Sequence, residues 1–94
     1  MYNDLDPVLH SQLRLAIMSV LIGSREADFV FLREKTGSTS GNLSVQIENL
    51  KAAGYIEVEK SFRGKMPRTT CRITPAGVRA FEAYVATLRQ YIGL

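Results

Sequence analysis

The chain has 94 residues, with no tryptophan, one histidine and one cysteine. The lone cysteine, Cys71, excludes an internal disulfide and suits a reducing compartment. His10 and Cys71 stand far apart in sequence, so the Cys, His and carboxylate clusters that bind transition metals are missing. No metal or other cofactor is expected. The chain also lacks a Ser/His/Asp set, paired carboxylates in a plausible cleft and a glycine-rich phosphate loop, so no enzymatic role is expected. No apolar run approaches the ~20 residues of a membrane span. The N-terminus carries Asp4 and Asp6 where a signal peptide would carry basic residues before an apolar run. These absences point to a cytoplasmic chain without a membrane partner. There is no repeat, low-complexity tract or linker, so residues 1–94 form a single domain.

The composition is that of an ordinary globular chain, with 46% apolar and 22% charged residues. A net charge of +3 is a mild bias toward polyanions. The distribution says more. Residues 60 to 72 hold five basic side chains and no acidic one.

Asp6-Pro7 reads as the start of a first helix, with Asp as cap and Pro at the first helical position. Leu9, Leu13, Ile17 and Leu21 recur every fourth residue, and Leu15, Met18 and Ile22 supply a second apolar face. A helix apolar on two sides is either deeply buried or shared with a partner chain. Gly23-Ser24 is its expected end. Asp28 caps a short second helix from Phe29 to about Lys35, with Phe29 and Leu32 inward, and Thr36-Gly37-Ser38 forms a turn. A third helix starts at Thr39 or Ser40 and stops before Gly54. Residues 55 to 59 alternate as a strand does, residues 61 to 68 read as a loop with Gly and Pro, and residues 69 to 73 return as a second strand. Thr74-Pro75 opens a fourth helix that runs to about Ile92. The order is α-α-α-β-β-α, mainly helical with a small hairpin, and a short extra strand near 26–28 could complete the sheet.

At 100° per residue, Leu43, Ile47 and Leu50 share one face of the third helix and must point to the core. Ser38, Asn42, Val45 and Asn49 form a second stripe, flanked by Gly41 and Gln46, with no acid among them. Asn and Gln pair with adenine edges, Ser with bases or phosphate, and Val with the thymine methyl. Glu48 lies on another face. Taken alone, an amphipathic helix is usually just a solvated one. The short helix and turn before it, and the cationic loop of Arg63, Lys65 and Arg68 after it, favour DNA recognition.

The last helix spaces Val78, Phe81, Val85, Leu88 and Ile92 by 3, 4, 3 and 4 residues, an a/d heptad seam. Such a seam packs either on its own core or on a second copy, and the surplus apolar surface of the first helix favours a two-fold dimer. Residues 75–94 are then a dimerisation helix. Cys71, in a strand, fits a small buried residue; a redox-active thiol would need exposure and a lowered pKa. His10 reads as a surface or capping residue.

Three motifs carry a family resemblance: Gly-x-x-x-x-Asn-Leu-Ser at 37 to 44, Leu50-x-x-x-Gly54-Tyr55-Ile56, and the hairpin leading into Thr74-Pro75-x-Gly77. Over residues 8 to 91 the chain resembles winged helix-turn-helix regulators of the MarR/ArsR type, and looks closest to their small stand-alone winged helix DNA-binding domain relatives. The resemblance implies a dimeric transcriptional regulator with its third helix in the major groove. By position, the family's base-reading role falls on Ser40, Asn42, Val45 and Gln46, and its wing contacts on Arg63, Lys65 and Arg68. Thr39 and Lys51 are then expected to join the wing in holding phosphate. Larger members carry extra helices that frame a small-molecule pocket, and the chain stops soon after the fourth helix, so a small-molecule effector is not expected. The expected function is sequence-specific binding of double-stranded DNA by a homodimer. The alternative is a winged helix serving as a protein–protein adaptor with only weak DNA binding.

Overall fold

Side-chain caps fix where three of the four helices begin. In a computed structural model that describes residues 2–94, the elements in chain order are α1 (Gln12–Ser24), β1 (Glu26–Asp28), α2 (Phe29–Thr36), α3 (Ser40–Ala52), β2 (Ile56–Arg63), β3 (Met66–Ile73) and α4 (Pro75–Ile92). The Asp28 carboxylate accepts from the Phe31 amide at 2.8 Å, Thr39 Oγ1 from Asn42 at 3.2 Å and Thr74 Oγ1 from Gly77 at 2.9 Å. Each satisfies a first-turn N–H that has no partner inside its helix.

The first helix departs from expectation at its start. Asp6-Pro7 opens a turn, and α1 begins at Gln12. Both carboxylate oxygens of Asp6 are engaged elsewhere: Oδ1 accepts from the Val8 amide at 2.8 Å and Oδ2 from the Tyr55 hydroxyl at 2.5 Å. The turn drops Leu9 fully into the core, and Ser11, extended at φ −151°, separates it from the helix. At the other end the helix stops at Ser24, as expected, and Arg25 carries the reversal, at φ +70°. The chain must turn at once into β1, and the Arg25 carbonyl accepts from Ile73 at 3.0 Å.

The sheet has order β1-β3-β2 and is antiparallel throughout. The short strand at 26–28 pairs Glu26, Ala27 and Asp28 with Arg72, Cys71 and Thr70. The expected 61–68 loop is mostly strand instead. Pairing runs from Ile56↔Ile73 out to Arg63↔Met66, which leaves Gly64 and Lys65 as the turn. Gly64, at φ +63°, supplies the positive φ a two-residue hairpin turn needs. Pro67 is tolerated because β1 ends opposite Thr70, so no third strand asks Pro67 for an N–H. The outer hairpin lacks apolar alternation, and its register is carried by the turn and the ladder rather than by burial.

The core lies between the first three helices and the inner face of the sheet. Leu9, Ile17, Met18, Leu21, Leu32, Leu43, Ile47, Leu50, Ile56, Cys71 and Tyr84 are buried. The helix α4 docks through its first turn. Thr74 donates its amide to the Tyr55 carbonyl at 3.1 Å and its hydroxyl to the Gly54 carbonyl at 2.7 Å. At Gly77 an added Cβ would lie 2.2 Å from the Tyr55 carbonyl oxygen, so only glycine fits. Beyond that turn α4 buries Tyr84 and Thr87. No helix of the described residues is long and apolar enough to cross a membrane.

Candidate nucleic-acid interface

The helix α3 has two faces, as its spacing requires. Leu43, Ile47 and Leu50 are buried, while Thr39, Ser40, Asn42, Val45, Asn49 and Lys51 are exposed. Val45 keeps 55% of its surface in solvent, an isolated branched methyl pair among polar neighbours. Ser38 is half-buried and shares a 2.8 Å hydrogen bond with the Thr36 hydroxyl, so it belongs to the turn more than to the outer face. Glu48 faces the sheet side of α3, in a cleft that Lys60 also lines.

Gln46 is not a free side chain. Its Oε1 accepts from Arg14 Nη1, and Arg14 Nε donates to the Val8 carbonyl. Gln46 Nε2 donates to Asn42 Oδ1 at 3.2 Å, and Asn49 Nδ2 donates to Gln46 Oε1 at 3.3 Å. A charge-assisted bond from a planar guanidinium thus orients an amide ladder along the outer face. Ser40 is held similarly, its Oγ accepting from Arg33 Nη1 at 3.1 Å. Thr39 Oγ1 accepts at the helix cap, which leaves its O–H available to donate.

Arg14 and Arg33 are two basic residues that sequence reasoning missed. Arg33 is on α2, seven residues before Ser40, where the turn folds one helix back on the next. Arg14 is 32 residues from Gln46, and no local pattern signals that contact.

The hairpin places Arg63 and Lys65 at its end, both exposed, with no carboxylate partner among the described residues. Arg68 is 3.6 Å from the Asp28 carboxylate and Arg72 3.5 Å from Glu26. Exposed pairs of this kind contribute little and exchange readily for a phosphate. Cations thus line the outer part of the hairpin while the inner part is neutralised by β1.

Of the expected interface residues on α4, Val78, Phe81, Val85 and Leu88 are half-buried and Ile92 is 58% exposed. Phe81 and Leu88 pack on the core of their own chain; Val85 does not join it. The fully buried positions, Gly77, Tyr84 and Thr87, belong to a neighbouring stripe. The N-terminal segment runs along the far half of α4: the Asn3 amide donates to Gln90 at 3.0 Å, the Tyr91 hydroxyl donates to the Asn3 carbonyl at 3.0 Å, and Tyr2 stacks on Tyr91 at 4.8 Å.

Two groups have shifted ionisation. The Tyr55 hydroxyl is pushed up to about 12, first by its hydrogen bond to Asp6, then by burial and by the negative charge of Asp6. Burial pushes the Cys71 thiol up to about 11, which keeps it protonated and unreactive at neutral pH. His10 is exposed, with Nδ1 3.0 Å from the Tyr84 hydroxyl.

A helix-turn-helix with a polar, acid-free outer face, followed by a basic β-ribbon, defines a winged helix DNA-binding protein. The winged helix DNA-binding domain family model matches residues 13–92, and the chain belongs to that family. It is 31% identical over 83 residues to Uncharacterized protein MJ0432 of Methanocaldococcus jannaschii, covering 88% of this chain and 90% of that one. A transcriptional regulator homologue from Pyrococcus horikoshii OT3 superposes with a TM-score of 0.86 at 29% identity, over 92% of this chain and 85% of that one. NadR in complex with 4-hydroxyphenylacetate matches at a TM-score of 0.74 and 18% identity, over 93% of this chain and 64% of that one. The regulator BldR from Sulfolobus solfataricus also matches at 0.74 and 18%, over 87% and 58%. The last two establish the shared fold alone, and this chain spans about three fifths of their length. Fold and family together make this a DNA-binding protein of the transcriptional-regulator type.

Proposed function

We propose that the chain acts as a homodimer that reads double-stranded DNA in sequence-specific fashion, with α3 in the major groove and the hairpin tip on the backbone or minor groove. The observation that carries this reading is the outer face of α3. It presents Asn42, Val45 and Asn49 with no acid, and its amides are pre-oriented through Gln46 and Arg14. Pre-set donors and acceptors suit base edges better than a mobile solvated face would. Ser40, Asn42, Val45 and Gln46 are the base-reading positions. Thr39, Lys51, Arg63, Lys65 and Arg68 hold phosphate or minor groove. The dimer is supported by the half-open seam on α4: Val78, Val85 and Ile92 stay partly solvated while the helix buries a different stripe inward.

Selection of bound sequences from random duplex DNA tests the proposal. An enriched inverted repeat, with half-sites about one helical turn apart (~34–36 Å), is the expected result. No enrichment, together with affinity that does not distinguish sequences, would reassign the fold to protein–protein contacts.

A further inference from the structure

The outer end of the hairpin carries an apolar pair that its own chain leaves uncovered. Phe62 is 74% exposed and Met66 70%. Phe62 pairs with Pro67 and Met66 with Arg63, so the two side chains leave opposite faces of the ribbon, on either side of the Gly64-Lys65 turn. The third strand reaches only as far as Thr70. From the Glu59↔Thr70 pair to the Arg63↔Met66 pair the hairpin continues for four steps as a bare two-stranded ribbon, a reach of about 13 Å at ~3.3 Å per residue.

Large apolar side chains held in water at the end of such an arm mark a contact surface. The charge around them defines the partner. Lys60, Arg63, Lys65 and Arg68 surround the pair, and no acid lies between residues 60 and 72. The partner must therefore be densely anionic and also offer apolar surface to both faces of the ribbon. Duplex DNA meets both conditions: phosphates line the groove, and base steps open to a wedge of Phe, Met or Leu.

We propose that the ribbon tip enters the minor groove beside the site read by α3, with Phe62 as the wedge that partly unstacks a base step and kinks the duplex, while Met66, on the opposite face, packs against the sugars of the groove wall. The inference rests on the DNA-binding reading above. It adds a source of specificity that no polar contact supplies: flexible pyrimidine–purine steps under the wing yield most readily, so TA or CA steps are favoured there.

The test uses the selected duplex with fluorophores at its two ends and 2-aminopurine placed at the step under the wing. Wild-type protein shortens the end-to-end distance and brightens the 2-aminopurine. Phe62→Ala with Met66→Ala leaves the fold intact, since both side chains are exposed, but removes most of the bend and the brightening and weakens binding about tenfold. Phe62→Leu keeps both signals. Equal bending by wild type and double variant overturns the wedge while leaving the DNA reading in place. Failure of the wild type to bind any duplex overturns both. Phe62-dependent binding to phosphatidylserine vesicles in place of DNA would assign the tip to a membrane surface instead.

Discussion

The two ends of this molecule solve opposite problems. The α3 and wing end is polar and held in place by hydrogen bonds: Arg14 clamps Gln46, Gln46 aligns Asn42 and Asn49, and Arg33 holds Ser40. The α4 end is docked by close backbone fit at Gly77 and then exposes apolar side chains along its outer half. Directional bonds suit the base reading proposed for the first end, whereas exposed apolar area suits the self-association proposed for the second. The contrast also divides the consequences of mutation, since changes at one end should alter recognition and changes at the other folding or assembly.

The largest effect should come where α4 meets the sheet. Gly77→Ala sets a methyl against the Tyr55 carbonyl, and neither backbone can yield cheaply. A loss of about 3 kcal/mol in urea unfolding is expected. Stability equal to wild type would mean that α4 docks less tightly than the geometry requires.

Next is Val85→Glu. Val85 is half-buried and outside the core cluster, so a charge there should spare the fold and weaken self-association about 100-fold, or ~3 kcal/mol. Sedimentation with circular dichroism separates the outcomes; a wild-type monomer at micromolar concentration would remove the dimer altogether. Leu88→Glu is a blunter probe, because Leu88 also packs on its own core.

At the other end, alanine at Arg63, Lys65 and Arg68 together should weaken binding to any duplex by about 2 kcal/mol. The slope of log K against log salt should fall by about 0.9 for each phosphate that the variant no longer neutralises. The share of Arg68 should be the smallest, because Asp28 already competes for it. An unchanged slope would remove the wing from the interface.

Asn42→Ala should cost about 1.5 kcal/mol on the selected site and much less on random DNA. Arg14→Ala and Gln46→Ala should be non-additive, since one orients the other. Equal losses on specific and random DNA would reassign these side chains to backbone contacts.

The smallest effect is a pH dependence. Tyr55 has a higher pKa folded, about 12, than its ordinary 10. Its neutral form is therefore favoured by folding. That contribution is complete below about pH 9 and is lost as pH rises from 10 toward 12. Tyr55→Phe should flatten this part of the alkaline unfolding profile and leave the fall between about 9 and 11 that Cys71 produces by the same logic. An unaltered profile would discount the Asp6 hydrogen bond.

Much of the architecture is legible in local chemistry. Asp28, Thr39 and Thr74 are side chains that complete a helix N-terminus, and each does so. The buried triad of α3 follows from its spacing. Reading fails where a residue has two possible partners. Asp6 is as good a helix cap as Asp28, yet Tyr55, 49 residues away, takes its carboxylate and the helix starts later. Residues 61 to 68 contain Gly and Pro and lack alternation, yet all but Gly64 and Lys65 are strand, because that two-residue turn locks their register.

What this sequence determines by itself is therefore whatever depends on neighbours within a turn or two: the caps, the helix faces, the strand pair, the acid-free basic segment and the family motifs. Tertiary structure alone decided what depends on distant residues meeting: that Arg14 would reach Gln46, that Arg68 and Arg72 would be partly neutralised by β1 while Arg63 and Lys65 stay free, and which stripe of α4 would turn inward. The physical reason is the range of the forces involved. Backbone hydrogen bonding and capping act over a few residues, whereas a guanidinium, a carboxylate or an apolar face takes whichever partner the closed core brings within reach.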